Sequence, residues 1–134
     1  MFEELEFAKS LQLQGKFEDA LLIYGKLLDT YPDNYEIYER IAACLLFLKR
    51  YVEAREFCRK VINERITHRP VLNLILAIVY QKLGDVENAQ EEVGEVLKLN
   101  DDSEPALIWY GVFLREAREY EKAQLVFKKV LSLY

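Results

Sequence analysis

Apolar and polar residues are interleaved along this chain with helical periodicity: large side chains return after three or four positions, and charged ones fill the intervals. Segments such as FEDALLIYGKLL and YVEAREFCRKVI put an apolar stripe on one helix face and Glu, Asp, Lys or Arg on the other. The pattern divides into eight such segments and predicts helices over about 2–14, 18–30, 35–48, 52–65, 70–83, 86–98, 104–117 and 120–133. Asp33 or Asn34, and Ser103, are predicted N-caps, while Pro70 and Pro105 fall in first turns, where a missing N–H costs little. No strand pattern is evident. With three prolines and five glycines in the whole chain, helices can run unbroken between short turns.

The stripes also repeat at long range. GKFEDALLIYGKLL from Gly15, KRYVEAREFCRKVI from Lys49, GDVENAQEEVGEVL from Gly84 and REYEKAQLVFKKVL from Arg118 align on Ala20, Ala54, Ala89 and Ala123, which lie 34, 35 and 34 residues apart by subtraction. A small residue recurs at Ala8, Ala42, Ala77 and Gly111, and large apolar columns recur around it (Phe7, Ile41, Leu76, Tyr110; Leu11, Leu45, Tyr80, Leu114). Small residues let two helix backbones approach, and the large ones fill the space between ridges. Each unit therefore reads as a helix hairpin that cannot bury its apolar face alone and must stack on its neighbours.

This pattern resembles the tetratricopeptide repeat (TPR) family. The match lies in the repeat length, the small residue of the first helix, the alanine opening the second, and Tyr31-Pro32-Asp33-Asn34, which is similar to the family's closing proline turn. It departs where the family favours tryptophan, since Glu4, Tyr38, Asn73 and Leu107 stand there, and where Ile66 and Asp101 replace later prolines. One residue is inserted around Ile66-Thr67-His68-Arg69. The resemblance implies an all-α, right-handed superhelical solenoid of about four helix-turn-helix repeats, eight helices, forming one domain over 1–134 with repeats at about 1–34, 35–69, 70–103 and 104–134.

Composition narrows the function. A net charge of −5 disfavours a nonspecific grip on nucleic-acid phosphate. The basic patch Arg55, Arg59, Lys60 and Arg65 reads as a solvated helix face. Cys44 and Cys58 lack metal-ligand spacing and fall at apolar helix positions, so two reduced, buried thiols are expected. The acidic, amphipathic start is unlike a signal peptide, and the most apolar run, Val71 to Tyr80, is too short for a bilayer, so no membrane insertion and a cytoplasmic location are expected. The single histidine, His68, reads as a solvated turn residue, and acid pairs such as Glu91-Glu92 lie on outer faces. No enzyme activity, cofactor or metal is expected.

A protein or peptide partner is expected instead. By resemblance, the first helix of each repeat lines the concave surface, giving Leu5, Lys9, Ala43, Leu46, Phe47, Val71, Leu74, Ile78, Lys82, Ile108, Val112 and Arg115 as candidate groove residues. The outward columns of the second helices are polar except at Leu22, Val52 and Leu125, so the apolar groove is expected to hold an apolar or amphipathic segment, with Lys9, Lys82 and Arg115 pairing its acidic groups. Family members that clamp a C-terminal carboxylate use Lys, Asn and Arg at positions filled here by Leu5, Lys9, Arg40, Val71 and Ile75, which do not supply that clamp. The alternatives are self-assembly as a homodimer through Val130, Leu131, Leu133 and Tyr134 at the last helix, or membership of a longer array.

Overall fold

The computed structural model describes residues 2–64 and 69–134. Eight helices lie among them: α1 (Phe2–Leu13), α2 (Phe17–Thr30), α3 (Tyr35–Phe47), α4 (Tyr51–Glu64), α5 (Pro70–Lys82), α6 (Val86–Leu99), α7 (Glu104–Glu116) and α8 (Tyr120–Leu133). Each boundary falls within a residue of the one expected from the apolar stripes. The chain forms two compact units, Met1–Arg65 and Ile66–Tyr134. In the first, each of α1 to α4 packs on the next; in the second, each of α5 to α8 does so and α5 also touches α7. The inserted residue around Ile66 and the side chains of Arg65 and His68 lie outside the described residues.

The hairpin turns share one geometry. Gly15, Lys49, Gly84 and Arg118 occupy a single repeat column, and all four have positive φ, from 62° to 82°. After each first helix the residue that follows this position donates its N–H back to a carbonyl five residues earlier: Lys16 to Leu11 (2.9 Å), Arg50 to Leu45 (3.0 Å), Asp85 to Tyr80 (2.8 Å) and Glu119 to Leu114 (2.9 Å). That bond satisfies a carbonyl the helix end would otherwise orphan. The α2–α3 and α6–α7 connections also match: the Asn34 N–H donates to the Tyr31 carbonyl (3.1 Å), and Ser103 to Asn100 (3.2 Å). The second turn keeps this bond with Asp101 where the first has Pro32.

Starts are set locally. The Ser103 hydroxyl accepts from the Ala106 N–H (3.4 Å), as expected of an N-cap. Asp85 caps α6 in the same way, accepting from the Asn88 N–H (3.3 Å). Pro70 and Pro105 stand in the first turns of α5 and α7.

The core is built on the repeat columns. Ala8, Ala42 and Ala77, with Gly111, are buried, as are Ala20, Ala54, Ala89 and Ala123 opposite them. Tyr24, Cys58 and Val93 fill the next column and are fully buried. No charged or polar residue is buried among the described residues. Cys44 and Cys58 are buried thiols outside any disulfide, and burial pushes the Cys44 thiol up to about 11.

Candidate binding faces of the two units

The first helices of each unit expose one side, and the two units differ there column by column. In the first unit, Lys9 of α1 reaches across to Glu36 of α3 (2.8 Å) and back to Glu6 (3.5 Å), while Arg40 pairs with Glu36 one turn away (3.4 Å). The hydrogen bond from Lys9, aided by the cations Lys9 and Arg40, holds the Glu36 carboxyl below 4.5, and the same bond raises Lys9 above 10.5. Beside this lane Tyr24 donates its hydroxyl to Gln12 (2.7 Å), and burial holds that phenol up to about 12. Phe47 at the end of α3 stacks on Phe17 at the start of α2, with centroids 5.2 Å apart and planes 7° from parallel.

The candidate groove residues of this unit therefore have distinct surroundings. Lys9 is engaged by two carboxylates, and Ala43 and Leu46 are half-buried. Phe47 keeps one ring face open and is 61% exposed. Leu5 is not a surface residue. It is buried with Ala8 three positions on, because that stripe of α1 faces the core of the hairpin with α2.

The second unit presents a different chemistry. Residues 69 positions on from Glu6, Lys9, Glu36 and Arg40 are Ile75, Ile78, Pro105 and Trp109. Val71 and Ile108 are exposed, and Leu74, Ile78 and Val112 are half-buried along α5 and α7. Trp109 packs on Phe113 with centroids 5.8 Å apart. The two helices are tied at one end, where the Gln81 side-chain amide donates to both carboxylate oxygens of Glu116 (2.7 Å each). Lys82 and Arg115, beside these two, are exposed.

The expected apolar exceptions on the second helices, Leu22, Val52 and Leu125, are exposed, and so are Val86, Leu99 and Tyr120 at the helix ends. In α8, Leu131 is 81% exposed, Leu133 is also exposed and Val130 is half-buried; Tyr134, just past the helix, is 66% exposed. The end of this helix is held to the α6–α7 turn by Lys129, which meets the Asp101 carbonyl (3.2 Å) and the Asp102 carboxylate (3.5 Å), and by a bond from the Tyr134 hydroxyl to the Asp102 carbonyl. No group of His, Cys, Asp and Glu among the described residues is arranged to hold a metal, and no described helix is long and apolar enough to cross a membrane.

Stacked helix hairpins with repeating small and large columns define an all-α helical-repeat solenoid class. Tetratricopeptide repeat models match residues 11–65 and residues 76–134, and the chain belongs to the tetratricopeptide repeat family. It is 25% identical over 128 residues to Tetratricopeptide repeat protein 6 of Homo sapiens, covering 96% of this chain and 24% of that protein. Over 118 residues it is 20% identical to the BBSome complex member BBS4 of Bos taurus, covering 88% of this chain and 22% of that one. The chain thus spans about a quarter of the length of the curated relatives it matches. Among solved structures it is similar to MamA from Desulfovibrio magneticus RS-1 (TM-score 0.82, 19% identity, 97% of this chain and 73% of that one). It is similar also to a thermophilic TPR protein of Thermus thermophilus (0.84, 19%, 98% and 73%), and to YrrB, described as a TPR protein with an unusual peptide-binding site (0.73, 22%, 96% and 66%). Family membership makes the chain a protein–protein interaction scaffold, a class that is typically non-enzymatic.

Proposed function

We propose that this scaffold captures an apolar or amphipathic peptide segment on the first-helix face of its second unit. The observation that carries this is the strip of Val71, Leu74, Ile78, Ile108 and Val112 along α5 and α7, in which Ile78 stands in the column where the first unit has the ion-paired Lys9. A contiguous apolar strip on an otherwise charged surface is costly to leave bare, and a helix or extended segment laid between two helices covers it with a few anchors. That YrrB, of similar fold, is described as having a peptide-binding site accords with this reading. Ala43, Leu46 and Phe47, with the exposed Phe2 and Leu13 of α1, form the first unit's own apolar area, and it is divided by Lys9, which is held there by its carboxylates.

The test is capture with single variants that keep the fold, as checked by circular dichroism. Ile108→Glu, at an exposed position, and Ile78→Glu are expected to abolish capture of partners recovered by the native chain. Leu46→Glu is expected to leave most of it. Undiminished capture by Ile108→Glu and Ile78→Glu would sink the proposal.

The exposed side of α8 favours a second reading, self-association through Val130, Leu131, Leu133 and Tyr134. Light scattering over a concentration series checks it: a second copy bound there gives a mass that rises with concentration and falls back with Leu131→Asp. A constant monomer mass removes it.

A further inference from the structure

The inference rests on the reading above, that the second unit's first-helix face seats an apolar segment, and it concerns the chemistry of that segment. On α5 the strip Val71, Leu74, Ile78 ends one turn later at Lys82; on α7 Ile108 and Val112 end at Arg115. The bond from Gln81 to Glu116 holds these two helix ends together, so the neighbouring Lys82 and Arg115 stand at the same end of the strip. Neither is ion-paired with a described residue. The acids at that end are engaged elsewhere: the Glu116 carboxylate accepts from the Gln81 amide on both oxygens, Asp85 caps α6 through Asn88, and Glu119 pairs with Lys122.

Helix-end cations are ordinarily explained by the macrodipole. That explanation applies to Lys82 and Arg115, but it applies equally to α1 and α3, which end without a basic residue in the last turn and hold Leu13 and Leu46 in the equivalent columns. The two faces are inverted: charged along the middle and apolar at the end in the first unit, apolar along the middle and basic at the end in the second. An apolar strip closed by two unpaired cations complements an apolar run that leads into negative charge.

We propose that the second unit binds an amphipathic peptide helix whose aliphatic anchors lie on α5 and α7 and whose adjoining acidic residues meet Lys82 and Arg115. The whole chain carries a charge of −5, which at long range favours a basic ligand. A preference for an acidic one therefore reports local cations.

Two labelled peptides test it against the full chain by fluorescence anisotropy. Both carry leucines at i, i+4 and i+7; one is flanked on each side by Glu-Glu, the other by Lys-Lys. The acidic probe is expected to bind on the order of tenfold more tightly, with the margin shrinking as salt is added. In the doubly substituted Lys82→Glu/Arg115→Glu chain, which keeps its fold because both side chains are exposed, the preference is expected to invert. Equal affinity for the two probes, a preference for the basic one, or an unchanged preference in the double variant overturns the acidic specificity. Ile108→Asn separates this from the seat itself, because it removes an anchor without adding charge and should weaken both probes alike. If neither probe saturates up to roughly 1 mM, or Ile108→Asn changes nothing, the apolar seat fails and the inference falls with it.

Discussion

At single residues, the repeat allows one position to be compared in four settings. The left-handed turn column holds glycine twice and a long basic residue twice, although Lys49 and Arg118 sit at φ 62° and 63°. An L side chain there crowds its own carbonyl, at a cost of about 1 kcal/mol that glycine avoids. Lys49→Gly and Arg118→Gly are expected to raise stability by roughly 0.5–1 kcal/mol each, and Gly15→Ala to lower it by a similar amount, read from urea midpoints. A second comparison separates helix propensity from packing. A methyl added at Gly25 or Gly94 meets nothing within 4 Å, so each Gly→Ala change is expected to add about 1 kcal/mol from propensity alone. At Gly111 the same methyl would lie 2.6 Å from the Phe127 ring. Gly111→Ala is therefore expected to destabilise, and adding Phe127→Val, which recreates the Ala77/Val93 pair of the preceding repeat, to recover the loss. A stabilised Gly111→Ala single variant would show that the ring yields freely.

Between elements, the informative contact is the ion pair joining α1 to α3. Glu36 is held below its ordinary 4.5, so its contribution is complete above that pH and is lost as pH falls through the lower folded value. Lys9 is raised above 10.5, so its contribution is complete below that pH and is lost as pH climbs through the higher folded value. Between these limits the pair gives a flat profile. Glu36→Gln is expected to cost up to about 1 kcal/mol at neutral pH, as befits a half-exposed pair, with the gap to the native chain closing in acid. Denaturant melts across pH check this, and a gap that persists in acid assigns the effect to packing instead. Most elements were legible in the sequence, because Ala20, Ala54, Ala89 and Ala123 fixed the register and each stripe carried its own turn signals. The site was legible only in part. The spacings Glu6–Lys9 and Glu36–Arg40 are visible along the chain as neighbours on a helix surface. The Lys9–Glu36 bond that joins them is not, since it depends on how closely α1 and α3 lie. The Phe17–Phe47 stack and the Gln81–Glu116 tie also span about 30 residues or more and depend on hairpin packing. Leu5 shows the converse: its column was taken from a resemblance, while its burial follows from its place three residues before Ala8.

Across the whole molecule, a stack of hairpins distributes stability by nearest-neighbour burial, so its helices should not open with equal ease. Burial is uneven between helices: α3 buries six residues, Ile37 to Leu45, α5 six, Leu72 to Tyr80, and α7 five. By contrast α1 buries Leu5 and Ala8, and α8 buries Ala123 alone. Each buried aliphatic side chain contributes about 1.5–3 kcal/mol, so these differences exceed anything the surface ion pairs add. In native-state hydrogen exchange, amides of α3 and α5 are expected to be the slowest in their respective units, and those of α1 and α8 the fastest. Lys129 and Tyr134 tether the end of α8 to the α6–α7 turn, but their bonds are solvent-exposed and do not replace a buried face. The same experiment also bears on self-association. If a second copy covers Leu131 and Tyr134, α8 protection rises with protein concentration while α5 protection does not, because only α8 gains a burying neighbour. If α8 already matches α5 at the lowest concentration, graded stability along the stack is wrong for this chain.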